Sequence, residues 1–282
     1  MRENNIGWYD SSDSRCYAGG KDAVMSYNEA CLSRREQHPL IENKYQHIAD
    51  ELEEKGYCVL KNAFDRDRVL KFHEETTALM SDTKNLKFND AYLQMVDQPM
   101  LKSRSALEFA FDDLIVDIAS SYFQCIPALG TVNLKRSLIN ELPPTETLLF
   151  HCDTNCVKFL KFFIYLNDVD MDGGPFAYVE GSHKKKFEYW ESKYRWPDNE
   201  IEFFYGADSI KHLTAATGDL VIANTTGFHK GTKVKNSERL MYTINYVIHP
   251  EYWKPVSFGI KNSDYDSLSE NKKPAADFLL RN

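Results

Sequence analysis

No stretch of this sequence is long and apolar enough to cross a bilayer: the most apolar run, Phe162 to Leu166, is far shorter than the roughly 20 residues a spanning helix needs. The first residues, Met1-Arg2-Glu3-Asn4-Asn5, lead into polar sequence without the apolar core of a secretory signal, so a cytoplasmic location is expected. Positive charge is scarce. Lys and Arg number 34 against 42 Asp and Glu, a net charge of −8. Binding a nucleic-acid backbone needs clustered cations, and a membrane surface favours a basic amphipathic helix, so neither is expected as a partner. The one basic triplet, Lys184-Lys185-Lys186, reads as a solvated loop. Also missing are a Gly-rich phosphate loop, a G-x-S-x-G nucleophile motif and a C-x-x-C pair; Gly173-Gly174 reads as a turn. The six cysteines lack zinc-type spacing and are expected to be reduced thiols.

What is present is an ordinary globular composition, 43% hydrophobic and 27% charged over 282 residues, enough for one large core or two small ones. Residues 1–42 show weak periodicity and read as an irregular extension. From Asn43 the pattern sharpens. Tyr45, Ile48, Ala49 and Leu52 mark one helix stripe, closed by Gly56, and Tyr57 to Leu60 reads as a short strand. Asp65 predicts the N-cap of a second helix burying Val69, Phe72, Thr76, Leu79 and Met80. Ser105-x-x-Glu108 fits a capping box for a third, with a stripe from Leu107 to Tyr122.

After Gly130 the texture turns to strands: Thr131–Leu142, Thr147–Asp153, Val157–Leu166, Phe176–Glu180, Asp219–Ala223 and Arg239–His249. The fold class expected is α+β, mainly β. N-terminal helices flank a double-sheet jelly roll, the β architecture that best accepts a metal between its sheets. One domain over 43–255 is predicted, with an insertion at about 187–213 near the site mouth and a C-terminal tail over 256–282.

His151-Cys152-Asp153 carries the chemistry. On an extended strand, His151 and Asp153 share a face and Cys152 takes the other. Two imidazoles and a carboxylate, with His229 as the distant third, form the set that holds non-haem Fe(II) with positions left open. Arg239 follows a turn after His229, so both can face one cavity from neighbouring strands; its planar fork suits a carboxylate. Together these residues suggest an oxygenase that consumes a keto acid. Secondary candidates are Thr232 and Ser237 in the turn, Arg136 and Asn140 as inward contacts on one strand face, Lys158, and His183, whose structural reading is a turn-stabilising histidine. The aromatic residues from Trp190 to Tyr205 read as core.

In order and spacing the chain resembles the phytanoyl-CoA dioxygenase family of Fe(II)/2-oxoglutarate oxygenases. The resemblance runs from about Gly56 to His249. It rests on Phe150-His151-Cys152-Asp153, Leu166-Asn167-Asp168-Val169-Asp170 with Gly173-Gly174-Pro175-Phe176, Glu180-Gly181-Ser182-His183-Lys184, Gly218-Asp219-Leu220-Val221, and Phe228-His229-Lys230-Gly231 with Asn236 and Arg239. Glu180 stands where the family usually has Pro. Gly231 stands where it often has a hydroxyl, with Thr232 the candidate replacement, and the distal turn is about one residue short. The family's upstream co-substrate lysine matches no definite position.

The resemblance implies a double-stranded β-helix with iron held by His151, Asp153 and His229, and 2-oxoglutarate chelating the iron with its far carboxylate on Arg239. It further implies O2-driven conversion of the keto acid to succinate and CO2, coupled to oxidation of an unactivated C–H bond of a small molecule. Related halogenases lack the carboxylate, so Asp153 favours hydroxylation, or desaturation or ring formation. Two alternatives stand beside this reading: a zinc hydrolase using the same three side chains, and a non-catalytic binding module on the same fold. Oligomeric state is not legible.

Overall fold

A computed structural model of the chain describes residues 7–154, 156–248 and 258–281. The first 42 residues are not an irregular extension. Strand β1 (Trp8–Asp10) pairs antiparallel with residues 185–187, and α1 (Gly20–Gln37) follows as a full helix. The buried positions of α1 are Tyr27, Cys31 and Arg34, so a cation interrupts the stripe and no apolar period is visible. Arg34 reaches inward instead. It donates to the carbonyls of Ile126 (2.9 Å) and Pro274 (2.5 Å) and pairs with Asp277 (3.3 Å), fastening both ends of the chain to the core.

The next elements follow the sequence closely. Helix α2 (Gln46–Lys55) buries Ile48, Ala49 and Leu52, and Gly56 ends it at φ +88°, its N–H donating to Leu52 O. Strand β2 (Tyr57–Leu60) follows, then α3 (Arg66–Ser81), whose Asp65 cap accepts from the Arg68 N–H. Strands β3 (Leu86–Asn89) and β4 (Leu93–Val96) form a hairpin before the short α4 (Pro99–Lys102). The third predicted helix is two, α5 (Arg104–Ala110) and α6 (Asp113–Phe123). Ser103, not Ser105, caps the first; Ser105 donates to Glu75. Asp112 breaks the run because its carboxylate caps Leu114 N–H and pairs with Arg68 (2.6 Å).

The strands are β5 (Ala128–Ser137), β6 (Leu160–Tyr165), β7 (Phe176–Val179), β8 (Lys185–Phe187), β9 (Ile210–Leu213), β10 (Leu220–Ala223), β11 (His229–Gly231) and β12 (Arg239–Val247). A major antiparallel sheet runs β2-β10-β6-β12-β5-β4-β3, and a minor sheet runs β11-β7-β9. They face each other as the expected double-stranded β-helix. Strand β12 shows how alternation builds it. Leu240, Tyr242, Ile244 and Tyr246 pack against α2, α3, α5 and α6, and the hydroxyls of Tyr242 and Tyr246 donate to Ala106 O (3.0 Å) and Ala110 O (2.7 Å). Met241 faces the minor sheet, with Phe163, Phe176 and Tyr178. The predicted strand Thr147–Asp153 shrinks to two bridged residues, Phe150 and His151. A 3-10 turn uses Glu146–Leu148, and the Asp153 N–H turns away to Thr225 O.

The 187–213 segment reaches the edge of the site at Tyr194, whose hydroxyl lies 3.5 Å from Thr154 Oγ1, and at Arg195, which pairs with Glu146. It contains α7 (Asp198–Tyr205), ends in β9, and covers the outer face of the minor sheet, where Phe187, Trp190, Trp196 and Ile201 pack on Phe150, Val179 and Phe228. Aromatic residues there are core, as read. The Lys184–Lys186 triplet is not a solvated loop. Lys186 is buried, its ammonium donating to Ser182 O and Thr226 O. The last segment packs rather than trails: Ile260, Ala275, Ala276 and Leu279 join the main core. The 255/256 boundary and His249 lie outside the described residues. No helix among the described residues is long and apolar enough to cross a membrane.

Candidate active site

Residues 151 and 229 meet as an antiparallel pair that exchanges both backbone hydrogen bonds, each N–H donating to the other's carbonyl at 2.9 Å. Directly opposed residues carry their side chains on one face, and the two imidazoles stand 4.3 Å apart, centroid to centroid. Asp153, two residues on, returns to that face. One nitrogen of each histidine and one Asp153 oxygen lie within 4.8 Å of one another, a group that can hold a metal ion. Both rings are oriented from behind. His151 Nδ1 lies 2.9 Å from Leu149 O, and His229 Nδ1 lies 2.9 Å from Gly227 O. A carbonyl only accepts, so each Nδ1 carries the proton and each Nε2 presents its lone pair.

The electrostatics keep the donors deprotonated. Burial lowers the pKa of His151, and it pulls His229 down to about 3 with help from the His151 charge. Burial pushes the Asp153 carboxyl up, but Lys161, His229 and His151 outweigh it and hold the group well below the usual carboxylate range. The Lys161 ammonium donates to Asp153 Oδ2 at 2.5 Å.

A cavity lies between the sheets, lined by His151, His229, Arg239 and the cavity-facing residues of β5, β6 and β12. Arg239 is 5% exposed. Its Nη2 donates to Ser137 Oγ (3.1 Å), its Nε has no hydrogen-bond partner, and it pairs with no carboxylate among the described residues. His229 and Arg239 do not sit on neighbouring strands, as expected, but on opposite sheets that face across the cavity. A Cβ at Gly231 would lie 3.5 Å from Arg239 Nη2, so the hydroxyl missing there would have met the guanidinium. Thr232 does not replace it: it lines the cavity, but its hydroxyl donates to Pro175 O (2.7 Å). Ser137, on the opposite wall, supplies the hydroxyl instead.

The secondary candidates divide. Asn140 lines the cavity, although its side chain is used in a turn, donating to Leu138 O and accepting from Leu142 N–H. Arg136 does not reach the cavity. Its neighbours Lys135 and Ser137 take the inward face of β5, which sends Arg136 outward to Glu238 (3.6 Å) and Gln94 (3.4 Å). Lys158 is also elsewhere. It precedes β6, pairs with Glu53 and lies 3.9 Å over the Tyr122 ring, beside His183 in a separate cleft. His183 is structural: Nε2 meets Glu53 O at 3.1 Å, beneath Gly56. Ser237 has no side-chain hydrogen bond among the described residues.

The sequence reading missed Lys135, Ser137 and Lys161. Their signal is register: β12 pairs Arg239 with Ser137 and Met241 with Lys135, so an inward Arg239 carries both inward.

Comparison with known proteins agrees with this geometry. The family model described as phytanoyl-CoA dioxygenase (PhyH) matches residues 52–240. The fold is shared with a structure of EctD from S. alaskensis with bound Fe, at TM-score 0.62 and 16% identity, covering 87% of this chain and 91% of that one. The epimerase SnoN, in complex with Fe3+, alpha ketoglutarate and nogalamycin RO, aligns at TM-score 0.57 and 15% identity over 72% of this chain and 82% of that one. HygX from Streptomyces hygroscopicus, with nickel and 2-oxoglutarate bound, aligns at 0.50 and 15% over 71% and 85%. No curated protein matches by sequence. The matched span takes in the minor sheet and all of the major sheet except β12 beyond Leu240, and the chain belongs to the phytanoyl-CoA dioxygenase (PhyH) family.

Proposed function

We propose that His151, Asp153 and His229 hold a ferrous ion, that Arg239 anchors the far carboxylate of 2-oxoglutarate, and that the enzyme hydroxylates a C–H bond of a small molecule. The observation that carries this is the pairing of a three-donor centre with a buried guanidinium that has no acid of its own. Two imidazole nitrogens and one carboxylate suit Fe(II) and leave positions for a bidentate keto acid. A buried cation without a partner is costly, and a bound carboxylate would relieve it. When bound, iron, 2-oxoglutarate and O2 together supply the oxidising power, with succinate and CO2 as products.

The chain's own residues orient and exclude. Leu149 O and Gly227 O fix the two rings. Lys161 holds the outer oxygen of Asp153 and so sets the carboxylate's angle. The Phe176 ring lies tilted 5.4 Å from His229 and 4.4 Å from Phe163, an apolar wall beside the donors. A zinc hydrolase on the same triad would need a general base, and no Asp or Glu lines the cavity among the described residues. Six free, buried cysteines support a reducing, cytoplasmic compartment.

The test is succinate formation from 2-oxoglutarate in air over a panel of metabolites, with Asp153→Ala as control. Wild type is expected to make succinate only with Fe(II) and O2, and Asp153→Ala to lose at least about 100-fold, because the ion loses one of its three protein ligands. Succinate from Asp153→Ala at the wild-type rate would remove the mechanism.

A further inference from the structure

The chain is acidic overall, yet the wall of its main cavity is the reverse. Lys135, Lys161, Lys233 and Arg239 line it, and no Asp or Glu does among the described residues. Two of these have work already. Arg239 is assigned to the keto acid and Lys161 holds Asp153. Lys233 lies at the rim, bonded to Leu142 O. Lys135 has none. Its ammonium makes no hydrogen bond or ion pair among the described residues, and it faces the cavity between Asn133 and Ser137 on the inward side of β5.

We propose that Lys135 is the recognition point for an anionic primary substrate, a small molecule carrying a carboxylate or phosphate monoester on the side away from the carbon to be oxidised. This rests on the oxygenase reading above. The charge balance leads there. A ferrous ion and dianionic 2-oxoglutarate cancel, and Asp153 offsets one of the four cations. The loaded cavity therefore keeps an excess of positive charge. A low-dielectric cleft does not tolerate that excess for a neutral substrate without a penalty, and an acid removes it.

The environment of Lys135 agrees. Burial, with repulsion from Lys161 and Arg239, lowers it to about 8, the direction expected of a cation that lacks an anion. It remains mostly charged at neutral pH. Cross-strand neighbours Met241 and Met95 flank it, so the acid is expected to sit on an otherwise apolar body.

The test measures binding anaerobically, by calorimetry, on protein loaded with Fe(II) and 2-oxoglutarate. The probes are 3-phenylpropionate, phenyl phosphate and the neutral 3-phenylpropionamide. One or both acids should bind at least about tenfold more tightly than the amide, and the stronger acid identifies carboxylate or phosphate as the preferred source. Lys135→Gln should erase that preference while 2-oxoglutarate affinity changes by less than about threefold, a fraction of the effect of losing a charge-assisted contact. Equal affinity for acid and amide, including none for either, overturns the proposal. So does a Lys135→Gln variant that loses 2-oxoglutarate by about tenfold or more, which would make Lys135 a second keto-acid clamp. In both cases wild-type 2-oxoglutarate binding leaves the oxygenase reading standing. Failure of wild type to bind 2-oxoglutarate with Fe(II) would instead remove that reading and this proposal with it.

Discussion

Replacing Arg239 with leucine separates binding from folding in a way few substitutions do. The guanidinium is 5% exposed and, among the described residues, makes one hydrogen bond, to Ser137 Oγ at 3.1 Å. Facing a ligand carboxylate, it would make two charge-assisted bonds, and truncating such a partner costs about 2–5 kcal/mol. Arg239→Leu should therefore weaken 2-oxoglutarate by about 30-fold to a few thousand-fold. Stability of the unliganded protein should move little or upward. The Ser137 bond is worth about 1–3 kcal/mol, while relief of a desolvated, unpaired cation beside Lys135 returns a comparable amount. At about 2–4 °C per kcal/mol, the unliganded midpoint should stay within about 3 °C of wild type or rise. Saturating 2-oxoglutarate at 100 times its Kd should stabilise wild type by about 2.7 kcal/mol and the variant by almost nothing. Thermal unfolding with Mn(II), with and without 2-oxoglutarate, reads both quantities. A variant that keeps the ligand-induced shift would refute the clamp. One that loses more than about 6 °C without ligand, a cost of about 2 kcal/mol, would show Arg239 to be structural.

Three further outcomes follow from other contacts. Lys161→Met removes the cation on Asp153, and metal affinity should fall about 10- to 100-fold by calorimetric titration; an unchanged affinity would mean that Lys161 plays no part in setting the carboxylate. His183 is held neutral by burial, with Lys186, Lys184 and Lys158 adding to the effect, at about 3 in the folded protein against 6.5 unfolded. A depressed folded value means that stability is full above pH 6.5 and is lost as pH falls towards 3. Wild type should lose on the order of 2–3 kcal/mol between pH 7.5 and 4.5 through this group alone, and His183→Gln should flatten that slope in urea unfolding. A variant slope equal to wild type would contradict the assignment. Gly56→Ala meets both the left-handed φ of +88° and a collision of its Cβ with Tyr178 Oη and His183 Nδ1, so a loss of about 2–5 kcal/mol is expected in the same assay, and a neutral result would show that the turn relaxes.

Elements were legible wherever one local signal decided them. The i, i+3, i+4, i+7 stripe of α2 and its glycine stop, the Asp65 cap of α3, and the alternation of β12 each needed no tertiary information. The failures share the opposite property. Helix α1 is held through a buried arginine that satisfies carbonyls from Ile126 and Pro274, distant in sequence, so nothing local marks its inner face. Ser105 fits a capping box by spacing, but Ser103 had the extended backbone and took the role. At the site, the triad was visible because metal chemistry restricts residue types. Lys135, Ser137 and Lys161 were not, because any of several polar residues on β5 or β6 faces inward depending on register. That register is fixed by pairing with β12, which lies about a hundred residues later than β5. Arg136 was the wrong choice by one position, which on a strand is the difference between the cavity and the outer face.

The division of labour between the two sheets has a mechanical consequence. His229 is on β11, and His151 extends that minor sheet by a single bridge, so the metal donors belong to one wall. Arg239, Lys135 and Lys161 belong to β12, β5 and β6 of the major sheet, the other wall. Iron would sit on the first wall and the anion-binding groups on the second, with 2-oxoglutarate spanning them. Only Lys161 to Asp153, at 2.5 Å, ties the two sets directly. The keto acid would then act as a strut between the two walls. The helices packed behind β12, and the tyrosine hydroxyls bonded to Ala106 and Ala110, keep the major sheet from sliding. Substitutions in that helical layer, far from the donors, should loosen the keto acid while metal affinity changes little, because they alter the gap that only the keto acid must bridge.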